Sequence, residues 1–152
     1  DNVSHRMKNP LVPDDDIKRV VFCSGKIFYH LFHAREVAQA LDVTLVRLEQ
    51  IAPFPYDLIG PVLTRYVNAE VVWAQEEPKN MGPWYYVDDR IATAVRHYLP
   101  DFAHDHGRAT LYSRGTMSSP AEGYGDVHAR EQDRIVSGAI LGDTVQKYRK
   151  KD

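Results

Sequence analysis

Two adjacent carboxylates, Glu76 and Glu77, close a short apolar run and precede Pro78. Paired carboxylates are a starting point for general acid–base chemistry, but that chemistry needs a nucleophile, a histidine or a metal within reach. The flanking residues, Trp73-Ala74-Gln75 before and Lys79-Asn80-Met81-Gly82-Pro83-Trp84 after, supply none. Successive residues leaving a strand also point in different directions, which separates the two groups. A small independent hydrolase or transferase built on Glu76 and Glu77 is therefore the weaker reading. The stronger one has one carboxylate capping a turn or pairing with an arginine. The other then faces solvent or a neighbouring domain.

The remaining chemistry-bearing residues are scattered. His30 and His33 lie three apart, a spacing for two metal ligands, with no third ligand in sight. His104 and His106 flank Asp105 in a polar stretch, and His97 and His128 stand alone; all read as solvated or structural. No G-x-S-x-G elbow occurs. Cys23 sits in the apolar run Val20-Val21-Phe22-Cys23 and reads as a small buried hydrophobe. As the single cysteine it excludes an internal disulfide and points to a reducing compartment. Ser24-Gly25-Lys26 lacks both the P-loop frame and the dinucleotide glycines. It reads as a structural turn, with a phosphate-bearing effector as its functional alternative. Lys26, Arg90 and Arg114 are candidates for a cationic rim around a nucleotide phosphate. Their alternative partners are Glu76, Glu77 or the acidic groups of another domain.

The elements that must position these residues alternate. Arg19 to Ser24 reads as a buried strand. Ile27 to Leu41 reads as a helix with Phe28, Leu31, Phe32, Ala34, Val37, Ala38 and Leu41 on its apolar face. Thr44 to Glu49 is a second strand, Ala52-Pro53-Phe54-Pro55 a rigid connection, and Tyr56 to Tyr66 a helix that Pro61 is placed to kink. Glu70 to Gln75 is the third strand, and the helix from Trp84 stops at Pro100. Asp101 to Gly107 is a polar loop, Ala109 to Ser113 a fourth strand, Gly115 to Asp126 a loop, and Val127 to Leu141 the last helix. Strand–helix alternation with tight connections implies parallel strands and right-handed crossovers. The expected fold is a three-layer α/β sandwich on a mostly parallel sheet of four or five strands. Residues 1–17 read as an entry linker, 18–146 as one domain and 147–152 as a charged tail.

Composition limits the function classes. A formal charge of −2 gives no basis for long-range attraction to nucleic acid or an anionic membrane. No apolar run approaches the length of a membrane span. The opening Asp1 is not a methionine, and the chain reads as an excised piece of something longer.

Five blocks in order carry a resemblance: Arg19 to Lys26, Arg47 to Pro55, Trp73 to Trp84, Ser113 to Ala121, and Val127-His128 with Glu131-Gln132. Together they resemble the C-terminal domain of the thiamine-dependent component of 2-oxoglutarate dehydrogenase. The resemblance covers Lys18 to Leu141, and the Gln75-Glu76-Glu77-Pro78 and Pro53-Phe54-Pro55 blocks are its most specific parts.

The resemblance implies a transketolase C-terminal-like domain that packs on upstream domains and helps build a homodimer. It places thiamine diphosphate and magnesium in those upstream domains, so no catalytic, cofactor or metal residue is expected here. The full component would decarboxylate 2-oxoglutarate and succinylate lipoyl groups. Its partners would be the dihydrolipoyl succinyltransferase and dihydrolipoyl dehydrogenase components, in the mitochondrial matrix or a bacterial cytoplasm. The resemblance also implies a border on an AMP or acetyl-CoA effector crevice, with Lys26, Gln75, Arg90 and Arg114 as candidate effector ligands. Two alternatives stand beside it: the same domain of 2-oxoadipate dehydrogenase, which shares Asn80 to Trp84, and a stand-alone nucleotide-sensing module.

Overall fold

A computed structural model describes residues 10–100, 107–119 and 125–142. Four parallel strands form one sheet: β1 (Arg19–Cys23), β2 (Val43–Arg47), β3 (Glu70–Pro78) and β4 (Thr110–Arg114), in the order β2-β1-β3-β4. Helices α1 (Ile27–Ala38) and α4 (Gly125–Leu141) cover one face; α2 (Tyr56–Arg65) and α3 (Trp84–Tyr98) cover the other. This is the expected three-layer α/β sandwich.

Parallel strands covered on both faces read as continuous apolar runs, and alternate residues serve opposite cores. Val20, Phe22, Val71 and Trp73 pack with Ile59, Leu63, Val87 and Ile91 of α2 and α3. Val21, Cys23, Val72 and Ala74 pack with Leu31, Ile135 and Ala139 of α1 and α4. The run before β1 joins the first core: Ile17 is fully buried, and Leu11 and Val12 pack against it.

At the amino ends of the strands, Arg19 forms an ion pair with Glu70 at 2.8 Å and donates to the Ala139 and Ile140 carbonyls. Those carbonyls belong to the last turn of α4, where a helix lacks its own donors. One arginine therefore ties two strands to a helix end.

Several element boundaries differ from the sequence reading. Helix α1 ends at Ala38 because Gln39 turns left-handed at φ 52° and its N–H closes onto the Arg35 and Glu36 carbonyls. Val37, expected in the core, is 71% exposed. Arg35 is buried in its stead, stacked on Phe32 and donating to the Val43 carbonyl, and burial lowers its guanidinium pKa. Pro61 lies inside an unbroken α2, where the Thr64 hydroxyl donates to the Gly60 and Pro61 carbonyls.

The largest difference is at β3, which runs on through Glu76 and Glu77 to Pro78. The acidic pair is part of the strand. The predicted 101–107 loop falls almost wholly outside the described residues, with His104, Asp105 and His106, as do 1–9, 120–124 and the 147–152 tail.

A strand-end corner and its polar cluster

The chain leaves β1 toward β2 on one side and later returns across β1 to place β3 on the other. The direction of winding thus switches between β1 and β3, and the carboxyl ends of strands at such a point frame the usual ligand crevice of an open α/β sheet. Here those ends carry Ser24-Gly25-Lys26 and Gln75-Glu76-Glu77.

The β3 end is irregular. Ala74 pairs with Tyr112, but the next pairing is Pro78 with Arg114. Four residues of β3 are thus spanned by two of β4, which makes a bulge that re-aims side chains. Gln75 holds that bulge from inside. It is 3% exposed; its Oε1 accepts from the Trp73 indole at 3.1 Å, and its Nε2 donates to the carbonyls of Glu77, Pro78 and Met81. The amide of Met81 returns to the Pro78 carbonyl, and Lys79 N–H reaches the Arg114 carbonyl. Gly82 closes the turn at φ 65°, and a Cβ there would stand 3.0 Å from that of Glu77.

Glu76 and Glu77 part company, as expected of adjacent strand residues. The Glu76 carboxylate accepts from Gln132 Nε2 of α4 at 2.8 Å, where the sequence reading had offered an arginine. Glu77 is exposed and folds over Gly82. Among the described residues no three His, Cys, Asp or Glu side chains are arranged to hold a metal ion. His30, His33 and His97 are exposed on helices, His97 edge-on to Tyr98.

The four candidate effector residues sit in different settings. Lys26 is exposed at the start of α1. Gln75 is committed to the bulge. Arg90 lies over the Tyr86 ring, 3.5 Å from its centroid, and donates to the Tyr86 carbonyl along α3. Arg114 is 3% exposed under the start of α4; its Nη2 meets His128 Nδ1 at 2.7 Å, and its Nε has no partner among the described residues. No hydrogen bond or ion pair joins any two of the four.

The structure forms two polar pairs that the sequence reading did not name: Glu76 with Gln132, and Arg114 with His128. The signal was present. His128 and Gln132 are four residues apart, hence on one face of the helix that follows the Arg114 strand. Cys23 is fully buried, and desolvation pushes its thiol up to about 12.

At the other edge, the amino ends of β1, β2 and β3 border an open groove of about 670 Å³ lined by Val12, Asp15, Lys18, Gln39, Asp42 and Asn68, among others. The Lys18 ammonium and the Asp42 carboxylate pair across it at 3.1 Å.

Comparison with known proteins agrees with this geometry. The family model described as "2-oxoglutarate dehydrogenase C-terminal" matches residues 2–140. The mitochondrial 2-oxoglutarate dehydrogenase of Caenorhabditis elegans is 46% identical over 80% of this chain. That of Dictyostelium discoideum is 35% identical over 88%, and the 2-oxoglutarate dehydrogenase E1 component of Cupriavidus necator 35% over 86%. The matched region spans only 11%, 13% and 14% of those three relatives. A four-stranded parallel sandwich whose strand-end corner is built on Gln75-Glu76-Glu77-Pro78 thus belongs to the 2-oxoglutarate dehydrogenase C-terminal family.

Proposed function

We propose that this chain is the C-terminal structural and dimerisation domain of a thiamine-diphosphate-dependent 2-oxoglutarate dehydrogenase component. The whole component decarboxylates 2-oxoglutarate and passes the succinyl group to lipoyl groups of its succinyltransferase partner, within a multienzyme complex that includes dihydrolipoyl dehydrogenase. Relatives named as mitochondrial favour the matrix as its location. Thiamine diphosphate and magnesium belong to upstream domains in this reading.

One observation carries the reading: three polar side chains at the crevice, Gln75, Glu76 and Arg114, bind other groups of this chain. Gln75 binds backbone carbonyls, Glu76 binds Gln132, and Arg114 binds His128. A working active site leaves such groups aimed at a substrate. Tyr29 and Val37, 60% and 71% exposed on α1, suit a surface that further chain covers. Calorimetric titration of the 152-residue chain with thiamine diphosphate and magnesium should give no saturable heat. Saturable binding would overturn the reading.

A regulatory role is the second reading, favoured by the Nε of buried Arg114 beside the switch point, which has no partner among the described residues. Lys26 and Arg114 would then attract the phosphate of an AMP or acetyl-CoA effector. In the full-length enzyme, Lys26→Ala and Arg114→Ala should each weaken the effector response several-fold. An unchanged response in both would reject these residues.

A further inference from the structure

We propose that His128 is a proton-sensitive latch that seats the first half of α4 on the end of β4. The arrangement needs neither a cofactor nor an effector, so it goes beyond the functional reading above.

The tautomer follows from the donor inventory. A guanidinium has no acceptor, so Arg114 Nη2 donates and His128 Nδ1 accepts across their 2.7 Å contact. His128 is then neutral, with its proton on Nε2. An imidazolium carries protons on both nitrogens and cannot accept. Protonation would replace a hydrogen bond with two cations at contact distance, one of them buried.

Charged and titratable groups lie on β3, on α1 and on α4 itself. From β3, the Glu76 carboxylate faces α4 but is held by Gln132, one turn along from His128. On α4 itself, Arg130 donates back to the Asp126 carbonyl, and Glu131 is paired with Arg134 at 2.7 Å. From α1, His30 and His33 are exposed to solvent.

The latch matters because, among the described residues, the first half of α4 carries none of the helix's fully buried side chains. The buried residues of α4 are Ile135, Val136, Gly138, Ala139 and Ile140, all in its second half. Among the described residues, the hydrogen bonds from α4 to the sheet ahead of Ile135 are His128 to Arg114, Gln132 to Glu76, and Arg134 to the Ser113 carbonyl. Losing the first loosens the opening turns while the second half stays docked. The Arg114 guanidinium then opens to the crevice, so acid uncovers a cation at the switch point.

Hydrogen exchange in the 152-residue chain tests this. The protection factors of the Ala129 to Asp133 amides, corrected for intrinsic rate, should fall about tenfold between pH 7.5 and 5.5, the scale of one lost charge-assisted hydrogen bond. In His128→Asn an amide oxygen replaces Nδ1 and does not titrate, so protection should stay constant. Equal protection at both pH values in the unmodified chain, or the same fall in His128→Asn, would overturn the proposal. A second measurement does not depend on the variant. Nitrogen-15 spectra at pH 7.5 should show His128 protonated on Nε2 alone, and an Nδ1-protonated or doubly protonated ring would also overturn it.

Discussion

Gln75 and Cys23 carry the residue-scale expectations. The Gln75 carboxamide serves three carbonyls and one indole at once, with no water-exposed side on which to recover lost bonds. Gln75→Ala should cost about 2–4 kcal/mol in urea denaturation, because buried acceptors and the Trp73 N–H are left unpaired. Gln75→Glu should cost more, since it turns a carboxylate toward carbonyl oxygens. Cys23 has a folded-state pKa raised from 9.0 to about 12 by desolvation. The unfolded thiol ionises first as pH rises, so stability is complete below pH 9 and declines above it, by at most about 1.4 kcal/mol per pH unit. Measured against Cys23→Ala, the unmodified chain should show this extra slope between pH 9 and 10. At this scale the sequence was only partly legible. The burial of Cys23 followed from its apolar neighbours. The role of Gln75 did not, because it depends on a register shift between strands forty residues apart.

Among the elements, β3 and its exit decide where the crevice side chains point. The sequence marked a proline and a glycine after the acidic pair, and a strand ending at Gln75 was the natural reading. What it lacked was the bulge, which keeps the chain paired to β4 through Pro78 and lets Gly82 make the turn. Gly82→Ala should lower stability by about 1–2 kcal/mol, from the left-handed backbone and the approach of Glu77. Thermal denaturation would check it, and an unchanged midpoint would mean that the turn is not fixed. The α1 boundary shows a similar limit. The apolar spacing ran past Ala38, but the αL turn at Gln39 ended the helix and left Val37 in solvent. Periodicity located the four strands and the four α-helices of the described residues but missed the short 3-10 turn at Asp14–Asp16; caps and register, which depend on contacts between elements, set the ends.

For the whole molecule, the layer order was legible because strand–helix alternation leaves few ways to wind. Family membership followed from short blocks at the loops and strand ends. The assembly of the polar cluster was not legible, since helix and strand meet there only after the sheet has formed. The two cores share β1 and β3, whose alternate residues serve one face each. They should therefore melt together. Val87→Ala on one face and Ile135→Ala on the other should each cost about 1–4 kcal/mol and shift one common transition. Separate transitions by tryptophan fluorescence and far-ultraviolet dichroism would refute this. The strand order also sets a sequence of events during synthesis. Arg19 finds Glu70 fifty-one positions later, so β1 must wait beside β2 until the ribosome has released β3. Until then the most apolar strand of the sheet has one flank open, and that interval is when the nascent chain has most need of a chaperone.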